Sequence, residues 1–216
     1  LSTEEIAAVG SLFEEAKIKN VQIELSQSLT KTLPSLGGPA EVIGLLAAAV
    51  VLFVMLGTLI AAGLPVLGAL LGVAVSATGA LALSSLVDMN STTPMLGVML
   101  GLAVGIDYSL FILNRHRRQL KAGVEMRESI GLANGTSGNA VVFAGLTVII
   151  ALVALNVTGV GFLGLMGSVG AISIVIAVLV AVTFTPAMMS LVGMKVLSKK
   201  ERARAGTAEG KLEVAE

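Results

Sequence analysis

Charged residues are almost excluded from three long stretches of the chain. No Asp, Glu, Lys or Arg occurs from Val42 to Val87 or from Ser129 to Met194, and Asp107 is the only one from Asn90 to Asn114. A helix rises about 1.5 Å per residue and the hydrocarbon layer is about 30 Å thick, so about 20 apolar residues cross it once. The first and last of these stretches have room for two crossings each. The pattern predicts five membrane-spanning helices, at residues 42–63, 65–87, 94–114, 140–156 and 162–191, with turns marked by AAGLP and NVTGVG. Pro186, near the end of the last segment, is expected to kink or end that helix.

The ends of the chain read differently. Ser2 and Glu5 have capping-box spacing, and Ile6, Val9, Leu12, Phe13 and Ala16 follow at helical spacing. In VQIEL, Val21, Ile23 and Leu25 alternate as in a half-buried strand, which needs a partner to be stable. Residues 1–28 are therefore expected to be the tail of a truncated extracytoplasmic α+β domain, with upstream chain removed, and residues 29–41 a linker to the membrane. Residues 195–216 read as a solvated, charged cytoplasmic tail.

Composition sharpens this picture. Of 216 residues, 55% are hydrophobic and 13% charged, a balance that excludes an ordinary soluble domain and implies an all-α integral membrane protein. The formal net charge of zero conceals a sided distribution. Arg115, Arg117, Arg118, Lys121 and Arg127 follow the third segment, and Lys195, Lys199, Lys200, Arg202, Arg204 and Lys211 follow the fifth. The positive-inside rule then puts loop 115–139 and the C-terminus in the cytoplasm and the N-terminus outside, in a multi-pass cell-membrane topology. The loop is expected to form a short surface helix whose basic residues meet anionic lipid. His116 reads as part of that solvated cluster, and as the only His it gives no metal site. With no Cys there is no disulfide framework.

Asp107 is the candidate for chemistry. It lies near the middle of its segment, where a carboxylate costs about 2.5–3.5 kcal/mol on insertion scales and is expected to face a bundle interior or a wet cavity on an ion or proton path. At 100° per residue, Leu100, Ala103, Phe111, Asn114 and Arg118 share its face, and Tyr108 is rotated toward a different neighbour. Gly97, Gly101 and Gly105 repeat at the spacing that lets two helices approach closely, so the third helix is expected to be central. Gly68, Gly72, Ser76 and Ala80 repeat the pattern in the second.

The stretch GIDYSLFILNRHRRQL, Gly105 to Leu120, resembles the fourth-helix motif of the MMPL family, within the resistance-nodulation-division superfamily of proton-driven exporters. LPSLGGPAEVIGLLAAAVVLF, NGTSGNAVVFAGLTVIIAL and GVGFLGLMGSVGAISIVIAVLVAVTFTPAMM extend the likeness over nearly the whole chain. The resemblance implies helices two to six of the first half of a twelve-helix transporter. It implies a proton relay at Asp107 and Tyr108 that is completed by a pair in a second half, supplied by missing chain or another copy. It also implies lipid or other hydrophobic substrates and no organic cofactor. The alternatives are a lipid-sensing or scaffolding five-helix module, as in distant relatives, and an intramembrane aspartyl protease. The protease needs a second apposed carboxyl, and the other Asp, Asp88, falls at the outer end of a segment. Nothing in the pattern points to nucleic acid.

Overall fold

The computed structural model describes residues 39–84 and 92–207, and those residues are helical with no strand among them. The helices are α1 (Pro39–Leu56), α2 (Leu59–Ser84), α3 (Thr92–Lys121), α4 (Met126–Ala133), α5 (Asn139–Ala154), α6 (Gly161–Val192) and α7 (Lys199–Arg204). Four segments are long and apolar enough to cross a membrane: Leu59–Gly79, Thr93–Lys121, Met126–Thr158 and Gly161–Val196. Val42–Leu56 is a shorter apolar helix. The expected strand at Val21–Leu25, the N-terminal domain, most of the linker and Asp88 lie outside the described residues.

The first turn is not where AAGLP suggested. It falls at Gly57 and Thr58, and Pro65 lies inside α2. Two short-range interactions place it there. Gly57 takes φ 68° and its N–H closes α1 on the Phe53 carbonyl at 2.8 Å. Thr58 Oγ1 then accepts the Ala61 N–H at 3.2 Å, capping α2. The predicted 42–63 and 65–87 segments are thus corrected to α1 and α2. The third segment was also drawn short. α3 continues past Asn114 to Lys121, about 45 Å in 30 residues, which is longer than the hydrocarbon layer requires.

α3 and α6 form the centre, each packed on the other and on α2, with α5 against α6 and α1 against α2. Small residues set these contacts. A Cβ on Gly105 would lie 3.2 Å from the Ala69 Cα, and one on Gly97 would lie 2.8 Å from Ser173 Oγ and 3.1 Å from Val169 Cγ1. Gly101 faces Val73 and Ser173 at 3.8 and 3.9 Å. The four-residue spacing drifts around α3, so one glycine row serves α6 at its outer end and α2 further in. At the junction of all three helices, the buried Thr185 hydroxyl donates to the buried Ser109 Oγ at 3.2 Å, and Ser109 Oγ is 3.4 Å from a Cβ placed on Gly68.

Pro186 does not end the last helix, because α6 runs on to Val192. A proline there removes the N–H that would bind the Val182 carbonyl. That carbonyl instead accepts Asn134 Nδ2 at 3.2 Å. Asn134 opens a π-helical turn, Asn134–Gly138, between α4 and α5. The freed backbone acceptor on α6 and the side-chain donor on the loop therefore satisfy each other.

The tail is also more ordered than its composition suggested. Ser198 and Glu201 form a capping box that starts α7. Glu201 pairs with Arg117 at 2.9 Å and with Lys121 at 2.8 Å. The buried Arg117 Nη2 also donates to the Leu56 carbonyl at 2.6 Å, so one guanidinium joins the end of α1, the inner end of α3 and α7. Burial raises the Glu201 carboxyl, but the Lys121 ammonium, the Ser198 N–H, the Arg117 charge and the Ser198 hydroxyl outweigh it and hold the group at about 2. Because this value is depressed, the clip contributes fully above the ordinary carboxylate pKa of about 4.3 and is lost as pH falls through about 2.

Two tests follow from this packing. A Cβ on Gly167 would lie 2.2 Å from the Leu152 backbone carbonyl, whereas one on Gly72 meets only Val180 Cγ2 at 3.9 Å. Gly167→Ala is expected to cost about 1–3 kcal/mol, read as a lower thermal midpoint in detergent, with Gly72→Ala close to the parent. For the clip, spin labels at Met55 and Lys200, next to the Leu56 carbonyl and the Glu201 carboxylate that Arg117 joins, are expected to report one short distance from pH 7 to about 5, broadening as pH falls further. Glu201→Gln, which keeps the capping-box chemistry, is expected to show the broad distribution already at pH 7.

Candidate functional site

α3 carries two chemically distinct sides. Ser109, Ile112, Leu113 and His116 are buried against the other helices, while Ala103, Asp107, Phe111, Asn114 and Arg118 are exposed on the opposite side. The expectation that Asp107 faces the interior of these helices is therefore corrected. The reason is geometric: α2 and α6 cover α3 on its glycine side, where backbones approach closely, and this leaves the acid side uncovered. Asp107 has no side-chain hydrogen bond or ion pair among the described residues.

Tyr108 is partly buried and faces α5, its Cε2 lying 3.7 Å from a Cβ placed on Gly145. The ring would meet such a Cβ at ordinary van der Waals distance; the glycine makes room for Val178, whose Cγ2 the Cβ would overlap. Asp107 and Tyr108 together line a cavity of about 330 Å³ between α3 and α5, closed by Phe111, Ala140, Val141 and Ala144. The cavity is walled mainly by apolar groups, with the carboxylate and the phenol as its polar features.

A second cavity, of about 460 Å³, lies toward the basic end of α3 and shares Phe111 and Ala140 with the first. Asn114, Arg115, Arg118, Thr136 and Ser137 complete its lining. The C-terminal end of α3 thus presents two guanidiniums on the same open side as Asp107, about 12–16 Å further along the helix axis.

His116 is not part of a solvated cluster. It is fully buried, with Nδ1 2.8 Å from Ser129 Oγ on α4. Ser129 Oγ also lies 3.1 Å from the His116 carbonyl and 3.0 Å from Gln119 Oε1. One hydroxyl proton cannot serve all three, so the contacts are best met when Nδ1–H donates to Oγ. α4 is thereby folded onto the end of α3, which the sequence reading missed. The only sequence signal was the position of Ser129 on the apolar face of MRESIGLA. Arg117, buried and ion-paired, was likewise grouped with its solvated neighbours. No cluster of three His, Cys, Asp or Glu suited to a metal occurs among the described residues.

The chain has clear relatives. It is 42% identical over 184 residues to membrane protein YdfJ of Bacillus subtilis, covering 85% of this chain and 25% of that protein. It is 35% identical over 144 residues to the mycolic acid-containing lipids exporter MmpL11 of Mycolicibacterium smegmatis, covering 67% of this chain and 15% of the other. The trehalose monomycolate exporter MmpL3 of the same organism is 32% identical over 176 residues, 80% of this chain and 17% of that protein. The chain spans a quarter or less of the length of these relatives. No solved structure matches it. Residues 2–209 match the MMPL family, and with its apolar helices and these relatives the chain belongs to the MMPL family of membrane proteins.

Proposed function

We propose that this chain is part of an exporter of lipids or other hydrophobic compounds driven by the proton-motive force. In this reading α1, α2, α3, the α5 segment and α6 all cross the cell membrane, with the N-terminus outside and the C-terminus inside. Asp107 accepts and releases the proton, and Tyr108, which lines the same cavity without a hydrogen bond to it in this arrangement, becomes its hydrogen-bonding associate in the assembled protein. The observation that carries the reading is the position of Asp107: half-way along an apolar helix, on the side its own helices leave open, beside the phenol of Tyr108. The exporters MmpL3 and MmpL11 among its relatives favour a lipid cargo.

A carboxylate left against hydrocarbon is costly, so this side of α3 calls for a partner surface, from a second half of the transporter or from another copy. Opening and closing that surface would let Asp107 exchange its proton with one side of the membrane or the other. Alternating between the two states with access to opposite sides couples proton flow to movement of cargo. The electrical part of the drive is about 2.3 kcal/mol per charge per 100 mV.

The decisive test is transport into or out of liposomes by the protein assembled with its complementary half, under an imposed pH gradient. Asp107→Asn is expected to abolish gradient-dependent transport while lipid binding persists, and Tyr108→Phe is expected to reduce the rate less. Gradient-dependent transport that survives Asp107→Asn excludes the relay and favours a lipid-sensing module.

A further inference from the structure

The basic cavity at the C-terminal end of α3 is not used by the proposed relay, and its lining is that of an anion site. Neither Arg115 nor Arg118 has an ion-pair partner among the described residues, in contrast to Arg117 between them in sequence, which is buried on Glu201. The three arginines thus divide by function. The helical turn aims Arg117 inward to fasten the fold and leaves Arg115 and Arg118 lining an open pocket with Asn114, Thr136 and Ser137. Two guanidiniums with hydroxyl and amide groups nearby suit a phosphate, which accepts bidentate hydrogen bonds from arginine.

The pocket's position selects the source of that phosphate. Taking Asp107 as the middle of the membrane, Arg115 and Arg118 lie about 12 and 16 Å along the helix axis, where half a hydrocarbon layer of about 30 Å ends. From there the cavity continues toward the membrane centre as the mainly apolar groove of Phe111, Ala140, Val141 and Ala144. A soluble anion would use the basic end alone. An amphiphile uses both: its phosphate rests on the arginines and its acyl chain follows the groove.

We propose that this pocket binds an acidic phospholipid from the leaflet at the basic end of α3, with the headgroup phosphate held by Arg115 and Arg118 and one acyl chain along Phe111 and Ala140. The proposal needs only that the chain is embedded in a membrane, and it stands or falls separately from the relay at Asp107. A lipid seated here would line the way from the cytoplasmic surface to Asp107.

The test is lipid retention. The protein is reconstituted in equal phosphatidylglycerol and phosphatidylcholine, re-extracted in detergent, washed, and its bound lipid quantified by mass spectrometry. Phosphatidylglycerol is expected to be enriched. Its retention is expected to fall about fivefold for each guanidinium removed in Arg115→Gln and Arg118→Gln, the effect of one basic residue near an anionic surface. Arg127→Gln with Lys200→Gln, equal in charge but away from the pocket, is expected to change little. Ala140→Leu, which narrows the groove and leaves the charges in place, is expected to reduce retention as well, and serves if the arginine variants fail to fold. Equal retention of the two lipids, an equal loss in the control pair, or unchanged retention in Ala140→Leu would overturn the proposal. So would stabilisation by inorganic phosphate in lipid-free detergent matching that by phosphatidylglycerol, which assigns the pocket to a soluble anion.

Discussion

The organisation of this chain follows from how closely helices can approach α3. Gly97, Gly101 and Gly105 bring α6 and α2 almost to backbone contact, and a helix packed that tightly on one side has its other side free. Because the glycine row and Asp107 lie on different sides, the same packing that holds the helices together puts the carboxylate where its own helices do not reach. Two buried hydroxyls of the core, Ser109 and Thr185, find each other, whereas the Asp107 carboxylate has no side-chain partner among the described residues.

The basic end of the structure applies the opposite rule. There, polar groups are drawn into the protein and paired through one side: Arg117 Nη2 on Glu201 and the Leu56 carbonyl, and His116 Nδ1 on Ser129, with Arg117 Nε and His116 Nε2 left buried without a partner among the described residues. Removing one partner from such a group is expensive because a desolvated charge or polar atom remains. The clip therefore ties the end of α1 and the basic end of α3 to α7, while the face of α3 that carries Asp107 stays open.

Much of this was readable from the residues. The charge-free stretches locate the apolar helices, and the helical wheel gathers Asp107, Phe111, Asn114 and Arg118 on one side, where the structure leaves them exposed. What periodicity could not tell was which side of α3 would be covered. An acid in an apolar run reads as interior, but the glycine row draws α2 and α6 to the other side of α3 and leaves the acid side uncovered among the described residues. The turn at Gly57 and Thr58 was missed because Pro65 looked like a break, although a Gly followed by a capping Thr was the stronger local signal. The Val182 carbonyl freed by Pro186 is met by Asn134, 48 positions from Val182, and His116 is met by Ser129 of α4, 13 positions away. No local pattern encodes such contacts.

The central claim is that the ionisation of Asp107 answers to what covers it. Infrared difference spectroscopy of the assembled protein in lipid, recorded as pH is stepped across the working range, tests this most directly. The account predicts a protonated-carboxyl band that appears and disappears with pH and is missing in Asp107→Asn. A carboxyl that keeps one ionisation state throughout, with the same difference spectrum in both proteins, would contradict it.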